Sequence, residues 1–208
     1  MTKRLCIVIV CILAVVATLL LFKITGSEPR VVPSTVTDEA FGIIAARKLA
    51  LNAPGASLVL IAYANDDGAP GSALRRRDAF LREAASSGLR VIIVVSPIFN
   101  YKGKIRDEDL LTLPFRGVGI DATSIRHALT HRPPVIVSLE GFPPDLARLN
   151  LGATRFFAAD PYMTIEGDPL VRQGILRGLL TYREDADWSQ ELTDPEAISA
   201  ARFRYLAP

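Results

Sequence analysis

Asp66, Asn100, Tyr101, Glu140 and Asp160 stand in equivalent places: each lies at or just after a run of apolar residues of strand length. Asp66 comes after "ASLVLIAYA", and Asn100 and Tyr101 after "LRVIIVVSPI". Glu140 lies within "PVIVSLEG" and Asp160 at the end of "TRFFAAD". Where such strands lie side by side in an open α/β sheet, ligands bind in the crevice outside their carboxyl ends. That rule gathers the five residues into one candidate site. Carboxylates and amides exchange paired hydrogen bonds with the hydroxyls of a neutral polyol, and an aromatic ring stacks on a sugar face. So many acids would repel an anion. The same residue types also serve as turns and caps at strand–helix junctions, so every position carries that second reading too.

Other chemistries find less support. "NDDGAPGS" has neither the lysine nor the spacing of a P-loop, and it is not G-x-G-x-x-G. Ser96 and Ser138 follow strands without the G-x-S-x-G elbow of a serine nucleophile. Cys6 and Cys11 both fall in the N-terminal apolar run, which leaves the rest of the chain without a thiol nucleophile or a cysteine-ligated metal. His127 and His131 are four apart on an expected helix, a spacing that suits a shared metal, but no third ligand accompanies them. A carboxylate pair such as Asp66 with Asp160 could do acid–base work. The leading expectation is therefore binding without catalysis, with no cofactor and no metal. An interaction or scaffold subunit without a small ligand is one alternative, and a carboxylate-dependent hydrolase the other.

Positioning these residues falls to alternating elements. "TDEAFGIIAARKLALN" opens with Thr37 or Asp38 as a cap and keeps helical spacing through Phe41, Ile44, Ala45 and Leu49. Strand and helix then alternate four times. "ASLVLIAYA" is followed by "ALRRRDAFLREAASSG", a helix ended by Gly88, on which Arg75 to Arg77 read as a solvated face. "LRVIIVVSPI", read as a strand buried on both faces, is followed by "DATSIRHALTHRP", capped by Asp121. "PVIVSLEG" precedes the short helix "PPDLARLN", and "TRFFAAD" precedes "DPLVRQGILRGLL". In that last helix Asp168 caps and Pro169 takes the first position. The spacing of Leu170, Ile175, Leu179 and Leu180 carries it to residue 180, and Gln173 and Gly174 in mid-run leave open whether it is a packed core helix or one that closes a ligand-binding crevice. "DPEAISAARFRYL" could add a terminal helix. This order predicts an α/β chain with a three-layer, Rossmann-like parallel sheet.

The balance of 24 basic and 22 acidic residues, net +2, lacks the clustered basic excess of a nucleic-acid surface. "LCIVIVCILAVVATLLLF", residues 5–22, is uncharged and follows Lys3 and Arg4. As a helix it would rise about 27 Å, enough for a bilayer core and longer than a signal-peptide core. The expected organisation is a cytoplasmic N-terminus (1–4), a transmembrane signal anchor (5–22), a linker (23–34), an α/β lobe (35–183) and a C-terminal extension (184–208). The basic flank places the domain on the periplasmic or extracellular side of the inner membrane, held by one span.

Four stretches resemble the second lobe of type 1 periplasmic sugar-binding proteins, a lobe shared with LacI-type regulators. They are "VTDEAFGIIAARKLA", "GAPGSALRRRDAFLREAASSGLRVIIVVS", "FFAADP" and "EGDPLVRQGILRGLL". The resemblance places Asp38, Arg76, Phe80 and Asp160 at family positions, and implies a periplasmic-binding-protein-like lobe taking a sugar or similar neutral solute. The family's ligand-facing glutamine is Gly167 here, and the first lobe is absent. The implied partners are a sugar-like molecule and, in place of the missing wall, a second copy or another envelope protein. Tyr63, Phe99, Tyr101, Phe142 and Tyr162 would then face water or that partner.

Overall fold

The structure, a computed structural model, describes residues 35–66, 68–99, 120–143, 145–160 and 164–208 (of 164–166 and 168 the backbone alone). Residues 5–22, the linker, Asn100, Tyr101 and Tyr162 lie outside them. Among the described residues no helix is long and apolar enough to cross a membrane.

The elements in chain order are α1 Thr35–Asn52, β1 Ser57–Ile61, α2 Gly71–Ser86, β2 Arg90–Val95, α3 Ala122–Thr130 and β3 Val135–Ser138. A 3-10 turn Leu146–Arg148 follows, then β4 Arg155–Ala159, α4 Thr164–Arg172, β5 Leu176–Tyr182, α5 Pro195–Arg202 and β6 Phe203–Leu206. The strands form one sheet in the order β2-β1-β3-β4-β5-β6. The first five are parallel. β6 runs antiparallel to β5, so the sheet is mostly and not wholly parallel. Alternate residues fill two cores. Leu58, Leu60, Val137, Phe157 and Leu180 face Phe41 and Ile44 of α1, Phe80 of α2 and Ile198 of α5. Val59, Ile61, Ile136, Phe156 and Leu179 share the other core with Ile125 of α3 and Val171 of α4. These are the three layers the alternation predicts.

Several expectations change. β2 is an edge strand, so Ile92 and Ile93 are 49% and 37% exposed rather than buried on both faces. The helix expected to reach residue 180 ends at Arg172. Gly174 at φ 71° ends it, with Gly174 N–H donating to Val171 O and Ile175 N–H to Leu170 O, a Schellman stop. The apolar residues beyond belong to β5, and Pro169 lies inside α4 rather than at its start. Gln173 and Gly174 therefore sit at the amino-terminal edge of the parallel strands, away from any crevice at their carboxyl ends. The terminal helix stops at Arg202, and "FRYL" becomes β6. Phe142 is 1% exposed and packs in the second core, so it faces neither water nor a partner. Tyr63 and Phe99 are half-buried, their rings 6.0 Å apart.

One packing detail positions the site. A Cβ on Gly42 of α1 would meet the backbone oxygen of Arg76, and the backbone nitrogen of Phe80 at 3.0 Å. Only glycine lets α1 and α2 approach this closely. That approach brings Asp38, one turn earlier in α1, against the arginines of α2.

Candidate functional site

β1 has β2 on one side and β3 on the other, so the chain reverses its direction of travel across the sheet there. The carboxyl ends beside this switch point are where an open α/β sheet takes a ligand. Four buried charged side chains meet at that end: Asp38 from the first turn of α1, Arg76 from α2, Glu140 after β3 and Asp160 after β4. Each is delivered by local chemistry. The Ser138 Oγ accepts from Glu140 N–H at 3.3 Å, and Gly141 at φ 81° turns the chain sharply away. Asp160 N–H donates to Leu180 O at 2.9 Å, extending the β4–β5 pairing by one residue to the sheet rim.

Arg76 is the hub. Its guanidinium lies 3.8 Å from Asp38 Oδ1 and 3.5 Å from Glu140 Oε2. Arg75, more exposed, donates to Asp38 Oδ2 from Nη2 at 2.8 Å and from Nε at 3.2 Å. The run Arg75–Arg77 is thus not a solvated face. Arg75 and Arg76 turn to Asp38, and Arg77 donates to Tyr63 O at 2.7 Å and Asp66 Oδ1 at 3.0 Å. The reason is the Gly42 contact, which puts a buried carboxylate within reach of their stems.

The electrostatics follow from burial. Desolvation raises the Glu140 carboxyl to about 7, with Arg76 pulling down and the Asp160 charge pushing up. Burial also raises the Asp38 carboxyl from its ordinary value, against the pull of Arg75 and Arg76. Three buried polar atoms of this cluster make no hydrogen bond among the described residues: Asp38 Oδ1, Arg76 Nε and Glu140 Oε1. Leaving a buried polar group unsatisfied costs roughly 1–3 kcal/mol. Two acceptors and one donor, held together at the carboxyl end of the sheet, suit a ligand with several hydroxyls.

Of the residues expected from sequence, Glu140 and Asp160 come together here. Asp66 does not join them: its side chain is 77% exposed and holds Arg77. Asn100 and Tyr101 are outside the described residues. Asp38 and Arg76 entered only through the family resemblance, because an Asp in a first turn and an Arg amid a basic run both look like ordinary helix surface. The Gly167 position is packed. A Cβ there would run into Leu179, itself wholly buried, so no side chain could reach a ligand from it. His127 and His131 lie with ring centroids 5.7 Å apart, and among the described residues no group of three or more metal-ligating side chains occurs.

No protein-family model matches the chain, and no curated protein matches it either. Solved structures do. A sugar-binding protein of a sugar ABC transporter from Bacillus halodurans matches at 19% identity and TM-score 0.47, over 69% of this chain and 45% of that one. An ABC transporter solute-binding protein from Burkholderia graminis, solved with D-arabinose, matches at 15% identity and TM-score 0.48, over 69% and 47%. GanP, a glucose-galactose binding protein from Geobacillus stearothermophilus, matches at 12% identity and TM-score 0.49, over 69% and 47%. The chain thus spans under half the length of each of these sugar-binding proteins, to which part of its α/β fold is similar.

Proposed function

We propose that this chain is a membrane-anchored solute-binding lobe that takes a small neutral polyol, a sugar or its like, at the cluster of Asp38, Arg76, Glu140 and Asp160. The observation that carries the reading is the set of three buried, hydrogen-bond-lacking atoms at the carboxyl end of the sheet. Hydroxyl groups are both donors and acceptors, so one polyol can satisfy two carboxylate oxygens and a guanidinium N–H together. An anion would meet three carboxylates. The lobe binds and does not catalyse: Glu140, whose raised carboxyl would otherwise suit a general acid, spends its other oxygen on Arg76.

A thermal-shift screen of the full chain in mild detergent against neutral monosaccharides and polyols tests this. A solute at about 100 times its dissociation constant adds about 2.7 kcal/mol, or roughly 5–10 °C for a chain of this size. A shift without product supports the reading. No shift from any solute at millimolar concentration overturns it, and turnover of a glycoside turns it into the hydrolase reading.

Placement outside the cytoplasm rests on the uncharged run 5–22 behind Lys3 and Arg4. Good pockets bury about 70–90% of a ligand, and a second copy or an envelope protein set against the carboxyl end of the sheet would supply such burial. Alkaline extraction of membranes after chemical cross-linking checks both: the chain is expected to stay in the pellet and to be trapped as a dimer or larger complex. Release into the supernatant contradicts the anchor, and trapping of monomer alone contradicts the second wall.

A further inference from the structure

Charge is distributed unevenly along the strands. At the carboxyl ends the carboxylates Asp38, Asp66 and Glu140 are matched by Arg75, Arg76 and Arg77. The opposite edge, where the parallel strands begin, carries Lys48, Arg90, Arg132, Arg155 and Arg177. Arg90 and Arg155 open β2 and β4, Arg177 is the second residue of β5, and Arg132 holds the turn into β3 at φ 48°. The four arginines are exposed. Their hydrogen bonds go to neutral oxygens, Arg90 to Ser57 Oγ at 2.9 Å and Arg155 to Asn52 O at 3.5 Å. Lys48 lies over the Tyr205 ring at 5.9 Å. Among the described residues no carboxylate pairs with any of the five. Glu83 of α2 and Glu196 of α5 are both held by Arg47, at 2.9 and 2.7 Å.

Helix dipoles do not account for this edge. α1, α2, α3 and α4 all end there, each contributing about half a negative charge. Yet α1 and α2 carry no basic residue in their last turns, and three of the arginines sit on strands. Five cations against roughly two units of dipole charge leave the edge positive.

We infer that this edge docks on a bilayer rich in anionic phospholipid, turning the crevice end of the sheet away from the membrane. The inference rests on the membrane reading of residues 5–22 and not on the sugar reading. Tethering keeps the edge at high local concentration near lipid, so a modest electrostatic attraction suffices.

The test is hydrogen exchange on the full chain reconstituted in nanodiscs, phosphatidylcholine alone against phosphatidylcholine with phosphatidylglycerol. In the anionic discs, peptides covering residues 52–57, 87–92 and 150–156 are expected to exchange several-fold more slowly, and peptides covering 36–40 and 139–142 to be unchanged. Raising salt from ~0.1 M to ~1 M shortens the Debye length from about 10 Å to about 3 Å and should erase the difference. So should Arg90→Glu with Arg132→Glu and Arg155→Glu; the corresponding glutamine triple should retain part of it. Equal exchange in both discs, or protection at the crevice end instead, overturns the inference. So does protection of the same peptides by a soluble acidic protein or oligonucleotide when the discs give none. A chain that does not remain with the discs refutes the anchor alone, and the same exchange comparison is then read on phosphatidylglycerol liposomes.

Discussion

Glu140→Gln is expected to stabilise the folded chain above neutral pH by about 3 kcal/mol while weakening solute binding. The folded carboxyl titrates at about 7 against an ordinary 4.5. Between these values the unfolded chain has released its proton and the folded chain still holds it. The folded state then binds more protons, so stability falls as pH rises through that window and stays lower above it. The gap of about 2.5 pH units, at about 1.4 kcal/mol each, gives the figure. Glutamine imitates the protonated acid and escapes the penalty. Arg76, Asp160 and, through Arg76, Asp38 face the group, and all three remain in the variant. Melts of both proteins in detergent should agree near pH 4 and diverge by about 6–12 °C near pH 8. Equal gaps at both pH values would mean that the gain comes from packing and not from titration. A solute hydroxyl that donates to Glu140 Oε1 favours the ionised form, so affinity of the native chain should rise with pH through about 7. The variant should lose that slope together with part of its affinity. A site kept at the expense of stability is what selection for binding leaves behind.

The architecture was legible where the sequence pattern had one interpretation. β1 and β3 are apolar runs too short for helices, and α3 announces itself through Asp121, whose side chain accepts from Thr123 N–H at 2.7 Å. The misreadings fall where two periods fit. Leu170, Ile175, Leu179 and Leu180 match a helix face, and the stop depended on one glycine whose φ of 71° sequence spacing does not reveal. "FRYL" alternates, with Phe203 and Tyr205 toward one core and Leu206 toward the other, yet four residues are too few to outvote a helical start at Asp194 and Pro195. β2 reads as a central strand because its composition matches that of β1; only the sheet order makes it an edge. The strand-end rule reached Glu140 and Asp160. It could not reach Asp38 or Arg76, because both come from helices and meet the strand ends only through the close approach at Gly42.

Asp38→Ala should be the most damaging single change in the cluster, lowering stability by about 3–5 kcal/mol, since removing one partner of a buried pair strands the other. Asp38 is 1% exposed, and the Arg76 side chain 10%. Without Asp38, Arg76 keeps among the described residues only Glu140 at 3.5 Å, a group that near neutral pH holds its proton much of the time. Arg75→Ala should cost under about 1 kcal/mol, because its side chain is 36% exposed and its ion pair is screened by water. The informative variant is the double one, Asp38→Leu with Arg76→Met. Replacing a buried ion pair by apolar residues of similar size is often neutral or better, so the melting temperature should return to within a few degrees of the native chain. The solute response should not return, because Asp38 Oδ1 and Arg76 Nε are gone. Melting and thermal-shift data on the four proteins separate the two roles. If the double variant is as unstable as Asp38→Ala, the loss belongs to helix packing and not to stranded charge. If it still answers to the solute, the binding site lies elsewhere on the sheet.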